Sequence, residues 1–257
     1  MKMNLLKEEI DQLKQYRLGE ASLNMDSIVQ LEDLLIKENL VAFLTDIKES
    51  INAPDLLVAG SMFAKRYGFF AVLSLYSMTI LNKRLNTSIN NVLLDVNQKG
   101  DIWLPTFIFE DTAVESTDEQ RIAWRDETIH GIFNEHIDVV VKQLASVSNL
   151  SKQTLWENIA IYIFWFYERL LEENGDFDEV TKARIQDDFS YVVTEAKSDL
   201  FGAYRKNPLQ KFYHKKVKLE VTDQEIRVRS TCCLYYKTNA EQTKCTTCPL
   251  QFKKAAI

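Results

Sequence analysis

All four cysteines of this 257-residue chain lie in one short stretch, TCCLYYKTNAEQTKCTTCPL at 231–250, as Cys232, Cys233, Cys245 and Cys248. The spacing C-C-x11-C-x2-C ends in a two-residue knuckle, and thiols gathered this way in a reducing compartment bind metal or carry redox chemistry instead of forming disulfides. Four thiolates suit a tetrahedral zinc ion or a [2Fe–2S] cluster in which each iron takes two. The first pair is adjacent. Neighbouring side chains of an extended backbone point to opposite faces, so Cys232 and Cys233 converge on one centre only if the chain bends there. A two-iron cluster is wider than one ion and tolerates such splay better, which leans toward iron–sulfur and leaves zinc open.

The opening MKMNLLKEEIDQLKQYRLGE carries charges every few residues and no apolar core of a signal peptide, so the expected location is the cytoplasm. The longest uncharged apolar run, residues 67–81, is shorter than the roughly 20 residues a membrane helix needs, and predicts a buried helix with no transmembrane segment. Only 7 Gly and 4 Pro punctuate the chain, favouring long helices over many short strands.

Apolar spacing predicts helices over 4–17 and 26–51, the latter striped by Ile28, Leu31, Leu34, Leu35, Leu40, Phe43 and Leu44, and another from Asp55 to about Leu85. Alternation at Val92, Leu94 and Val96, turn residues at 97–100, and Ile102 with Leu104 predict a hairpin. Ser116 and Glu119 read as a capping box before a helix through Val141. Ser151 opens an almost wholly apolar helix stopped by Gly175, and Asp176 or Asp178 opens one running to about Tyr204. KKVKLEV and EIRVRS then form a second hairpin that leads into Cys232. The expected class is α+β, predominantly α-helical: a helical body over 1–204, two small β-hairpins, and a basic C-terminal segment over 205–257. That segment has twelve Lys and Arg against four acids, and the first 204 residues have nineteen against thirty-three. An acidic body thus carries a basic cap.

The run RVRSTCCLYY with CTTCPL resembles the signature of the FhuF-like ferric siderophore reductases. NPL at 207–209 and TLWENIA at 154–160 extend the likeness, the latter also toward the C-terminal part of siderophore synthetases of the IucA/IucC type. The resemblance covers roughly residues 55–250 and departs from the family pattern by one extra residue between the adjacent pair and the knuckle. It implies a [2Fe–2S] cluster on Cys232, Cys233, Cys245 and Cys248, and one-electron reduction of ferric siderophores that frees the iron as Fe(II). Ferric iron suits hard oxygen donors, so reduction is release. With no Rossmann glycine turn or flavin motif, an external carrier such as a ferredoxin or flavodoxin is the expected electron donor. A peripheral contact with a siderophore importer is the one membrane association left open. The competing class is a non-enzymatic zinc-binding interaction module. A nucleic-acid partner is not expected, because the body is acidic and no recognition helix stands beside the cysteines.

Other residues carry weaker signals. Lys65 and Arg66 are candidates to meet an anionic siderophore. Arg227 and Arg229 alternate with Ile226 and Val228, and so share a face from which they can offset cluster charge or attract an acidic partner. Asn158 is a polar residue on an apolar helix, either a buried hydrogen bonder or a contact to another lobe. His130 and His136 are six apart, not the spacing of a helical metal pair, and read as solvated or capping. The aromatic run Tyr162, Phe164, Trp165, Phe166 and Tyr167 reads as core packing.

Overall fold

In the computed structural model, which describes residues 2–20, 27–96, 103–116, 120–172, 177–218 and 224–252, the chain is a predominantly helical α+β protein. It runs β1 (Lys2–Asn4), α1 (Lys7–Lys14), β2 (Ile28–Gln30), α2 (Lys37–Ser50), α3 (Leu56–Thr79), β3 (Lys83–Leu85), β4 (Val92–Asp95), β5 (Thr106–Phe109), β6 (Ala113–Ser116), α4 (Arg121–Ile132), α5 (Asp138–Ser148), α6 (Lys152–Glu172), α7 (Glu179–Ser190), β7 (Val217–Lys218), β8 (Glu225–Ile226) and α8 (Pro249–Phe252). The strands pair antiparallel in three small sheets, ordered β1–β6–β3, β2–β4–β5 and β7–β8.

The apolar run anticipated as a buried helix is α3, capped by Asp55, whose carboxylate accepts from Val58 N at 2.8 Å. Among the described residues it alone is long and apolar enough to cross a membrane, yet 72% of that apolar window is buried inside the protein, which makes it the core helix. Helix α6 packs along it. Gly68 permits the close approach, because a Cβ there would sit 2.9 Å from the Tyr162 ring and 3.3 Å from Ile159 Cα. Trp156, Phe166 and Tyr167 of α6 fill the core, while Trp165 stays 40% exposed and so departs from the aromatic run read as packing. One core continues from α3 through Phe201, Leu209 and Phe212 to Cys233.

Several boundaries differ from the sequence reading. The stripe begun at Ile28 is two things: β2, which pairs with β4, and a 3-10 turn at Glu32–Leu35 ahead of α2. Three-residue spacing fits that tighter turn as well as it fits an α-helix. Helix α3 ends at Thr79, and Lys83–Leu85 leaves it as a strand. The first hairpin is β4–β5, with Val92 opposite Phe109, and its return strand starts at Thr106 rather than Ile102. Its expected turn, and Ile102, lie outside the described residues. Ser116 is the last residue of β6 and does not cap α4, whose N-cap position is Gln120; Glu119 lies outside the described residues. The helix expected through Val141 is α4 and α5 joined by a π-turn at Phe133–Ile137. Asp178 caps α7 by accepting from Thr181 N at 2.7 Å, but α7 ends at Ser190 and continues only as π and 3-10 turns to Phe201; Asp176 and Gly175 lie outside the described residues. The second hairpin pairs Val217 with Ile226 and Lys218 with Glu225, and Leu219 and Val221 lie outside the described residues.

His136 is not solvated. It is fully buried in the π-turn, its Nδ1 2.6 Å from Thr87 O and its ring stacked 3.9 Å from Phe70. A carbonyl only accepts, so Nδ1 carries the proton and Nε2 accepts from Tyr67 Oη. Burial pushes its pKa down to about 3. His130 is partly exposed beside Glu135.

Candidate iron–sulfur site

After β8 the chain turns back over α6 through Ser230 and Thr231. The Glu157 carboxylate accepts from Ser230 N at 2.5 Å, from Thr231 N at 2.7 Å and from the Thr231 hydroxyl. The next residue of α6, Asn158, donates to Ser61 O at 2.9 Å and Ser61 Oγ at 3.0 Å, and the Ser61 hydroxyl donates to Cys233 O at 2.8 Å. Glu157, Asn158 and Ser61 thus bolt the cysteine loop to α6 and α3. Arg229 completes the network: it is 3% exposed, donates to Asn158 Oδ1 and to Thr231 O at 3.1 Å, and stands 3.8 Å from Glu157. Its backbone N–H donates to Thr247 O at 2.9 Å, tying the knuckle to the same frame.

Directly after the adjacent thiols the chain bends at Leu234, which sits in the left-handed region with φ 65°. A branched side chain there costs about 1–2 kcal/mol. In return, Leu234 N points at Cys232 Sγ at 3.4 Å, and Tyr235 N donates to Cys233. Consecutive N–H groups aimed at sulfur stabilise thiolate. Cys245 and Cys248 form a turn closed by Cys248 N donating to Cys245 O at 2.9 Å.

The thiols meet in two pairs. Cys233 Sγ lies 3.8 Å from Cys245 Sγ, and the Cys232 and Cys248 thiols are hydrogen-bonding neighbours. A separation near 3.8 Å is what two sulfurs adopt on one tetrahedral metal with bonds of about 2.3 Å. The Cys233–Cys245 pair has that separation and would serve one iron of a two-iron cluster, with Cys232 and Cys248 as the pair for the other. Among the described residues no group of three or more His, Cys, Asp or Glu side chains stands in position to hold a metal ion. The Cys245 thiol donates to Cys233 and lowers its pKa, helped against burial by Lys65, Arg229 and the Tyr235 N–H; Cys245 is raised by the same bond and by burial. Burial raises Cys232. Cys233 and Cys248 are 1% and 2% exposed, whereas Cys232 and Cys245 are half-buried and form the open edge.

The other candidates fall around this loop. Arg227 and Arg229 lie just beyond β8, and both meet α6: Arg227 pairs with Glu168 and stacks 4.1 Å over Tyr213, and Arg229 donates to Asn158. Of the two readings of Asn158, the buried hydrogen bonder is what the geometry gives. Lys65 lies 5.2 Å over the Tyr235 ring, and half-buried Arg66 lies 5.4 Å over Trp103. At the N-terminal end of α6 is a recess of about 490 Å³ whose lining includes Trp156, Tyr204, Lys152, Arg205, Lys206 and Lys211 and no acid. Glu157 and Ser61 escaped the sequence reading. A lone carboxylate in the middle of an apolar helix was the available signal for Glu157; nothing local marked Ser61.

Two comparisons bear on this geometry. The family described as FhuF 2Fe-2S C-terminal domain matches residues 229–250, the whole of the cysteine loop, and its cofactor is a [2Fe–2S] cluster. No curated protein is similar enough to match. The family described as Ferric iron reductase FhuF-like transporter matches residues 61–226, from Ser61 on α3 to the end of β8, so the chain belongs to the FhuF-like ferric iron reductase family.

Proposed function

We propose that this protein is a cytoplasmic ferric siderophore reductase whose cluster is held by Cys232, Cys233, Cys245 and Cys248. The observation that carries the reading is the pairing of four thiols in a loop fastened to both central helices, with one edge open. When bound, the cluster supplies electrons one at a time, which is what conversion of one ferric ion to ferrous requires. The chain's own residues do the rest. Arg229 and Lys65 place positive charge beside the sulfurs, offsetting the negative charge a thiolate set brings. The hydrogen bonds of Glu157, Asn158 and Ser61 fix the loop, so little rearrangement accompanies a change of charge. Lys65 and Arg66 stand where a ferric complex approaching that edge arrives. Ferric iron is bound tightly by hard oxygen donors and ferrous iron far less so, so the electron itself releases the metal.

The donor on this reading is an acidic carrier of the ferredoxin or flavodoxin type. The recess of Lys152, Arg205, Lys206 and Lys211 suits it, because its lining holds four cations and no acid and includes Trp156, the neighbour in sequence of the loop anchor Glu157. The test is a single turnover. Protein reduced with dithionite and freed of excess reductant is mixed anaerobically with a ferric siderophore while a ferrous chelator traps product. One ferrous ion per cluster, formed as the cluster absorption returns to its oxidised form, is expected. A cluster that stays reduced before every ferric siderophore offered refutes the reading.

A further inference from the structure

Beside the cysteine loop three cations gather with no acid paired to them among the described residues. Arg17 follows α1, and its backbone carbonyl accepts from Phe107 N at 2.8 Å, which fixes it against β5. Its guanidinium lies 5.3 Å over Phe69. Arg66 is one residue after Lys65 on α3, and its Nη1 is buried with no hydrogen-bond partner. Burial lowers the pKa of both guanidiniums, and Arg17 further opposes Arg66; the groups acting on them are otherwise phenols, Tyr162 and Tyr235, and no carboxylate. The Tyr162 ring stands 4.8 Å from Phe69, over which Arg17 lies, and its phenol feels Arg66, Arg17, Arg229 and Cys233 together, so the cations and a redox thiol surround one tyrosine.

Half-buried guanidiniums are normally paired, since removing an ion from water without a partner is costly. Other partly buried guanidiniums have oxygen acceptors: Arg121 and Arg125 share Asp188, Arg84 holds Glu115 and Glu127, Arg227 holds Glu168, and Arg184 donates to the Thr79 and Ile80 carbonyls. Arg17 and Arg66 have no such acceptor among the described residues, beside the edge where the reductase reading brings substrate to the cluster. Their neighbours Trp103, Tyr162 and Tyr235 offer aromatic faces that leave the donors free.

We infer that Arg17, Lys65 and Arg66 form an acceptor site for a polyanionic ferric chelate, one whose iron is wrapped by catecholate or carboxylate oxygens, in preference to a neutral hydroxamate complex. The inference rests on the reductase reading above and names the substrate class for it. A ferric tris-catecholate keeps excess negative charge, whereas a tris-hydroxamate is neutral. Only the former repays the desolvation of two unpaired guanidiniums, and an Arg fork accepts paired oxygens in two parallel bonds.

The test uses binding without electron transfer. Holoprotein is titrated calorimetrically with gallium(III) complexes, which keep the shape of ferric ones and are not reduced: a hexadentate tris-catecholate, gallium citrate, and a hexadentate tris-hydroxamate. One or both anionic complexes bind at least about tenfold more tightly than the neutral one, and which of them does so separates catecholate from carboxylate recognition. The R17Q/R66Q double variant, with its cluster absorption intact, loses about tenfold or more in anion affinity and loses the preference. If that variant fails to keep its cluster, K65Q carries the test, with a loss of about threefold and a shallower salt dependence. Equal or tighter binding of the hydroxamate, no binding of any complex, or unchanged anion affinity in the intact variant overturns the inference. A polyanion that binds but whose ferric form is not reduced leaves the site standing and counts instead against the reductase reading.

Discussion

Replacing Glu157 by Gln removes one oxygen and one charge from the place where the cysteine loop is fastened. The carboxylate accepts from two backbone N–H groups and a hydroxyl, and both it and Arg229 are almost fully buried, at 2% and 1% exposure of their side chains. A glutamine keeps one acceptor oxygen and turns an NH2 group toward a donor, which orphans at least one N–H at a cost of about 1–3 kcal/mol. The lost charge at 3.8 Å from Arg229 is worth about 4 kcal/mol at an effective dielectric near 20, part of which is returned because a neutral side chain is easier to bury. A net loss of about 3–5 kcal/mol follows, or a fall in melting temperature of roughly 6–20 °C for a chain of this size. Thr231→Val, which removes only the hydroxyl bond, should cost about 1 kcal/mol. Thermal unfolding of the holoprotein, followed by far-ultraviolet circular dichroism and by cluster absorption, reads both. The cluster signal of E157Q should bleach first, since the loop loosens before the helices do. An E157Q protein that melts within about 1 °C of the parent and keeps its cluster would refute the assignment of Glu157 as the anchor.

Serine in place of any one of Cys232, Cys233, Cys245 or Cys248 should lower cluster occupancy or shift its spectrum and potential, because oxygen is a harder, poorer iron ligand; a variant indistinguishable from the parent marks that cysteine as no ligand. Gly202 has φ 120°, and a Cβ there would overlap Asp138 Oδ2 and lie 2.7 Å from its Cγ, so Gly202→Ala should destabilise by about 2–3 kcal/mol in denaturant titration, and a neutral result would place the chain elsewhere at that turn. His136 has a folded pKa of about 3 against about 6.5 unfolded, so below pH 6.5 the unfolded state binds the extra proton and stability falls by about 1.4 kcal/mol per pH unit toward pH 3. Denaturation midpoints at pH 7 and pH 5 should therefore converge in His136→Gln, and an equal drop in both proteins would show that His136 is not held neutral.

The cysteine loop was legible because its chemistry is local. Four thiols within seventeen residues have few uses other than a metal or cluster, and the chain bends directly after the adjacent pair, at Leu234. Helix α3 was legible because a run with few charges has nowhere to go but a core. What escaped depends on partners distant in sequence. Ile28–Gln30 and Ser116 are strand residues only because β4 and β3 lie beside them, and short edge strands carry too few residues to show alternation. Alternation put Arg227 and Arg229 on one face of a strand, but β8 ends at Ile226, and periodicity does not say that the two meet Glu168 and Asn158 on α6 instead of solvent. Glu157 could have been found, since a carboxylate between Trp156 and Asn158 on an apolar helix needs donors. Arg17 could not, because the bend after α1 that brings it near Arg66 is set by β5.

The metal and sulfide content of protein purified anaerobically, with the paramagnetic resonance of the same sample after reduction, is the most direct test of what the four thiols hold. A [2Fe–2S] cluster on Cys232, Cys233, Cys245 and Cys248 predicts two iron and two sulfide per chain and a one-electron signal that appears on reduction. Stoichiometric zinc with no sulfide and no signal would contradict it.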